Sequence, residues 1–144
     1  MNHLVFLDRR AGELEKILSG VKTMLVKDFD PAQTTAHSIR PGEKLYFLRD
    51  RDECELQVAA TVVRVLPVKN DLGEDLPQIL KEMQPRLQLT EDQYNFWSIK
   101  KQVLLVEFEV AHKIGVIQIA SNQILDRTDW IPFEEFRLIT RAEE

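Results

Sequence analysis

Apolar and polar positions along this chain repeat with two different periods, and the switches between them mark out a series of short elements. The run His3-Leu-Val-Phe-Leu7 reads as a short strand. From Arg10 to Ser19, Leu14, Ile17 and Leu18 recur at helical spacing, and Gly20 stands where a helix-ending glycine belongs. A β-prone stretch, 23–27, follows at once. Residues 28–41 are loop-like, punctuated by Asp-Pro and Arg-Pro-Gly. Residues 44–49 alternate as a strand does, Asp50-Arg51-Asp52 makes a charged turn, and 56–66 form a long strand rich in β-branched residues.

The middle of the chain turns helical. Leu76, Ile79, Leu80 and Met83 form one apolar stripe between Asp75 and Met83. Thr90-Glu-Asp-Gln93 has the spacing of a capping box, which predicts a helix carrying Tyr94 and Trp97. Residues 102–110 are a strong strand and 115–119 a second, short one. Asp129 is placed to cap a final turn or short helix through Trp130 and Pro132 to Phe136, with 137–140 closing the sheet. Strands without strict β-α-β alternation predict an α+β fold with a mixed or antiparallel sheet. Five to six strands in so short a chain are most simply satisfied by a small curled β-barrel with peripheral helices, which also hides strand edges. No repeat, low-complexity tract or Gly/Ser linker divides residues 1–144, so a single domain is expected.

Composition narrows the class. At 144 residues, 44% hydrophobic and 30% charged, the chain can bury a sizeable core and is neither disordered nor membranous in make-up. No apolar run approaches the roughly 20 residues that cross a bilayer. The N-terminal residues lack a basic start, a long apolar centre and a small-residue cleavage site, so no secretion signal is expected. Cys54 is the one cysteine, which excludes an internal disulfide and a cysteine zinc site and favours a reducing, cytoplasmic setting.

Net charge is −5, which argues against a chain coated in positive potential to hold nucleic acid non-specifically. The charge is uneven. Between Lys22 and Arg51 six basic residues face four acidic ones, whereas from Asp52 onward ten face seventeen. An anionic partner is therefore expected at the first half.

Several chemistries lack their signatures. Neither phosphate-binding glycine motif, GxxxxGK[ST] or GxGxxG, occurs, and no GxSxG elbow is present. His3, His37 and His112 lack metal-ligand spacing, so no metal and no cofactor are expected. Cys54 lies between Glu53 and Glu55, which would raise a thiol pKa and oppose nucleophilic chemistry.

The segment 17–27, Ile-Leu-Ser-Gly-Val-Lys-Thr-Met-Leu-Val-Lys, carries the most information. It resembles the GxKxxExR signature of ASCH domains, a branch of the PUA-like superfamily, in which a helix ends in glycine and lysine before a strand. Gly20 and Lys22 match, Lys27 stands at the arginine position, and Leu25 replaces the glutamate. Arg40-Pro-Gly-Glu-Lys-Leu-Tyr-Phe47 resembles the family's strand entry, with Glu43 for the usual aspartate. The strand to Leu66, the helix through Tyr94 and Trp97, and the strand 103–110 follow in the family's order.

The resemblance implies a PUA-like barrel that binds RNA or a modified nucleotide. Lys22 and Thr23 would form the centre of the site, with Lys27, Arg40 and Lys44 as a cationic border suited to phosphate. Tyr94 and Trp97, three residues apart on a helix, offer either a base-stacking face or a core stripe. Some ASCH proteins hydrolyse an N-acyl group from a modified cytosine with the signature lysine, a threonine and a glutamate. Here Lys22 is the candidate catalytic base, Leu25 occupies the threonine position, and Glu107 or Glu109 is the candidate carboxylate. A ribonuclease belongs to the same alternative. A protein-interaction domain is the third, with Glu134, Glu135, Glu143 and Glu144 favouring a basic partner.

Overall fold

Ladders between long β-branched strands set the architecture. The computed structural model describes residues 2–8, 10–28, 39–48, 55–71, 75–118 and 130–133. Its elements run β1 (Asn2–Phe6), α1 (Glu13–Leu18), β2 (Met24–Asp28), β3 (Lys44–Leu48), β4 (Glu55–Lys69), α2 (Leu76–Glu82), α3 (Gln84–Leu87), α4 (Glu91–Ser98), β5 (Gln102–Gln118) and β6 (Trp130–Phe133). The six strands form one mixed sheet in the order β2-β5-β4-β3-β1-β6, with β1 parallel to β3 and the other pairs antiparallel. Register shifts between Leu56 and Val58, Ala59 and Thr61, and Val62 and Arg64 mark bulges in the β4–β5 ladder. Bulges bend and twist a strand, and the sheet curls into a half-barrel. The α+β, PUA-like architecture is as expected.

Two stretches differ from the sequence reading. Residues 130–133 are a strand, not a turn or helix, because Trp-Ile-Pro-Phe pairs antiparallel with β1. Among the described strands β6 is at the edge of the sheet, the position where a proline is tolerated. The short strand at 115–119 is not separate, since β5 runs unbroken to Gln118 against the equally long β4. Residues 111–114 hold no turn-forming residue that would interrupt it. Pro67 lies inside β4, beyond Thr61, where the described ladder with β3 stops and one edge is released. The turn at 50–52, the closing segment 137–140, Cys54, His37, and the acidic residues Glu134, Glu135, Glu143 and Glu144 lie outside the described residues.

Alternation across the sheet makes two cores. Inside the curl, Val5, Leu25, Leu45, Phe47, Val106 and Phe108 pack together, with the Phe47 and Phe108 rings 5.4 Å apart. On the other face Met24, Val26, Val68, Val103 and Leu105 meet Leu76, Leu80 and Leu87 of the helices. Two of the helices, α2 and α4, are capped by side chains at their N-termini. Asp75 accepts from Gln78 N at 3.2 Å, and Thr90 and Gln93 form a reciprocal capping box.

Candidate functional site: a buried lysine at the head of β2

The end of α1 dictates where Lys22 goes. Gly20 adopts φ +83, and the amides of Gly20 and Val21 bond back to the carbonyls of Ile17 and Lys16, both at 3.1 Å. This is the pattern of a Schellman cap, which needs a residue free to enter the left-handed region. The Lys22 amide also reaches Lys16 O at 3.1 Å. The chain is thereby turned so that the Lys22 side chain enters between α1, the end of α3 and the start of α4.

Lys22 is only 1% exposed. Its Nζ donates to Leu87 O and lies 3.5 Å from Glu13 Oε2. Burial lowers the Lys22 pKa, and the Glu13 carboxylate opposes that shift. Glu13 is itself held in place, its Oε1 accepting from Asp8 N at 2.9 Å and from Gln93 Nε2 at 3.1 Å. Gln93 therefore caps α4 with one end of its amide and orients Glu13 with the other. The arrangement can hold an ammonium out of water, and the lowered pKa makes that group easier to deprotonate.

A cationic rim stands beside this pair. Thr23 is fixed through its backbone, its N–H donating to Arg86 O at 2.9 Å and its carbonyl accepting from Phe108 N at 3.0 Å. Next to it, Glu107 takes Arg64 at 3.1 Å and Arg86 at 3.6 Å, with both guanidiniums about half in solvent. Planar guanidiniums at a solvent boundary suit bidentate capture of phosphate or carboxylate.

The other residues named from sequence are distributed elsewhere. Lys27 is the penultimate residue of β2, roughly 16 Å along the chain from Lys22 at about 3.3 Å per residue. It is half-buried, which lowers its pKa against the pull of Asp28, and it lies within electrostatic reach of His3. His3, 2% exposed, meets Glu43 Oε1 at 2.8 Å. Arg40 is exposed and opens the turn into β3, its backbone N–H donating to the same Glu43 oxygen at 2.8 Å. Lys44 is exposed and donates to Thr61 Oγ1 at 2.6 Å. Tyr94 and Trp97 lie half-buried against the outer core that contains Leu76 and Leu80, and the Tyr94 hydroxyl donates to Pro77 O at 3.2 Å. Lys22 and Thr23 are thus together, while Lys27, Arg40 and Lys44 belong to the far end of β2 and the entry to β3.

The carboxylate beside Lys22 is Glu13. Of the two candidates from sequence, Glu107 serves the arginines and Glu109 is exposed on β5. Leu25, at the family's threonine position, points into the inner core. Sequence reading missed Glu13, Gln93, Arg64 and Arg86. For Glu13 a signal existed: it stands four residues before Ile17, which puts a carboxylate on the buried face of α1. Among the described residues no group of three or more His, Cys, Asp or Glu is placed to hold a metal, and no helix is long and apolar enough to cross a membrane.

The curled mixed sheet, the glycine-capped helix leading into β2 and the helical insert before β5 together make a fold similar to that of solved ASCH structures. The solved structures it resembles include ASCH from Zymomonas mobilis, at TM-score 0.67 and 11% identity over 99% of this chain and 98% of that one. Two single-residue variants of the same protein, ZmASCH, also match at TM-score 0.67 and 12% identity, one over 95% of this chain and 93% of that chain, the other over 96% of each. At such identity the likeness is one of fold. No protein-family model and no curated protein matches the chain.

Proposed function

We propose that the chain is a binding module for RNA or a modified nucleotide, seated at the head of β2 over Lys22 and Thr23 and bordered by Arg64 and Arg86. One observation carries the reading: an almost fully buried ammonium, held by Leu87 O and Glu13, lies one residue before Thr23, whose N–H bonds to the carbonyl of the half-exposed Arg86. Burying a charge is costly, so a chain that does so with dedicated partners near the paired arginines on Glu107 has the make-up of a ligand site. The arginines would take phosphate, and the net charge of −5 favours a nucleotide or a short single-stranded loop over a long duplex. Titration of short RNA oligonucleotides and modified nucleosides into the unaltered chain and into Lys22→Met and Arg86→Ala tests this. Weakened binding in both variants supports the site. Binding unchanged in both overturns it.

A second reading is favoured by the lowered Lys22 pKa next to a carboxylate, which is the environment of a general base. In that reading Lys22 and Glu13 would serve hydrolysis of an N-acylated nucleoside, with water as the nucleophile in place of the side chain that Leu25 lacks. Incubation with N-acylated nucleosides checks it, and no product at high protein concentration removes it.

A further inference from the structure

The side chain that holds Glu13 comes from the cap of another helix. Gln93 is the third residue of α4, and its amide reaches a partner 80 residues away in sequence. Its Oε1 accepts from Thr90 N at 3.1 Å, and Thr90 Oγ1 accepts from Gln93 N at 3.2 Å. The other half of the amide, Nε2, donates to Glu13 Oε1 at 3.1 Å.

The cap fixes which way the amide faces. A backbone N–H can only donate, so the atom beside Thr90 N is the oxygen and the one beside Glu13 is the NH2. Glu13 Oε1 also accepts from Asp8 N at 2.9 Å, and its Oε2 faces the Lys22 ammonium at 3.5 Å. Among the described residues, each group that meets this carboxyl is a donor, and only its ionised form can accept from all of them. Capping alone does not call for glutamine. A glutamate at the same position completes a capping box equally well, yet it would set a second carboxylate against Glu13. Beyond the cap, the position requires a donor.

We propose that Gln93 is a positioning residue for the site at the head of β2, its NH2 holding the Glu13 carboxylate against Lys22 while its carbonyl caps α4. The proposal rests on the reading of that site as the one that binds nucleotide. Gln93 acts through Glu13 and touches no ligand itself. Of the charged groups nearby, Glu13 is in contact with it, and Lys22 and Lys16 lie beyond Glu13. Glu91 and Asp92, in the same turn of α4, are exposed.

The variant Gln93→Glu keeps the capping oxygen and loses the donor, so its pH profile separates the two roles. Its binding of a fluorescently labelled, unstructured RNA oligonucleotide at about pH 8 is expected to be roughly tenfold weaker than that of the unaltered chain, the order of one hydrogen bond to a charged group. Binding then recovers as the solution is acidified, because Glu13 raises the pKa of the introduced carboxyl, which takes up a proton and donates again. Gln93→Met removes the donor without adding a charge and is expected to bind weakly at every pH. Thr90→Val removes a capping oxygen, leaves the donor, and is expected to bind as the unaltered chain does. Gln93→Glu binding as well as the unaltered chain at about pH 8 overturns the proposal and leaves Gln93 a cap alone. A loss in Thr90→Val equal to that in Gln93→Met overturns it too. If the unaltered chain takes no RNA, the reading of the β2 site for RNA falls, and the 15N resonance of Lys22 Nζ decides the role of Gln93. A downward move of the Lys22 titration in Gln93→Met, as Glu13 swings away, supports the positioning role, and an unmoved titration overturns it.

Discussion

Among the described residues two buried acid–base pairs stand out, and they differ in what surrounds them. His3 and Glu43 meet at 2.8 Å between β1 and the entry to β3. Lys22 and Glu13 meet at 3.5 Å among the ends of three helices and the head of β2. The first pair ties a strand to a turn: Glu43 also accepts from Arg40 N, Gly42 N donates to Val62 O at 2.8 Å, and Gly42 takes φ +89 where a type II turn needs it. The second pair lies next to Thr23, whose N–H bonds to Arg86 O, and Arg86 shares Glu107 with Arg64. The pair at the turn has a structural explanation; the pair at the head of β2 is the one the proposed binding function would use.

Breaking each pair sharpens the contrast. Glu13→Ala strands the Lys22 ammonium in the interior, and the expected loss is about 3–5 kcal/mol, the range for a buried pair deprived of one partner. Urea unfolding measures it. The double variant Glu13→Leu with Lys22→Met removes both charges and is expected to recover most of that loss while failing to bind nucleotide. His3→Leu is expected to cost less, about 1–3 kcal/mol, because Glu43 keeps its bond from Arg40 N and reaches solvent.

The pairs also report on opposite sides of neutrality. Burial holds His3 below its ordinary 6.5, and the hydrogen bond to the Glu43 carboxylate only partly offsets this. The unfolded chain therefore takes up that proton first, so His3's stability contribution is present above pH 6.5 and is lost as pH falls below it. For Lys22, lowered from 10.5 by burial, the unfolded chain binds the extra proton between the folded value and 10.5, so stability rises with pH across that window. Unfolding free energies across pH are expected to flatten on the acid side in His3→Leu and on the alkaline side in Lys22→Met. The smallest effect is at the rim: Arg86→Ala is expected to change stability by about 0–1 kcal/mol, as exposed ion pairs do, while weakening nucleotide binding.

Much of the fold was legible because its elements carry strong local signals: the β-branched run of β4, the stripe of Leu76 and Leu80, the capping box at Thr90, and Gly20 after α1. Residues 130–133 were misread as part of a final turn or short helix because a strand completed by a partner more than a hundred residues away leaves little local trace. The site was legible only in part. Lys22 and Thr23 could be named from their place after the glycine cap. Arg64 and Arg86 could not, since only the β4–β5 register and the α3 turn bring them to Glu107. Lys27 was grouped with Lys22 by closeness in sequence, yet a strand's rise separates the two.

The most direct test of the central claim is an amide-detected NMR titration of the unaltered chain with a short RNA or a modified nucleoside. Binding at the head of β2 predicts that the amides of Thr23, Arg86, Gln93 and Phe108 shift together and saturate with one affinity. Shifts confined to His3, Arg40, Glu43 and Lys44, with the head of β2 unmoved, would contradict it.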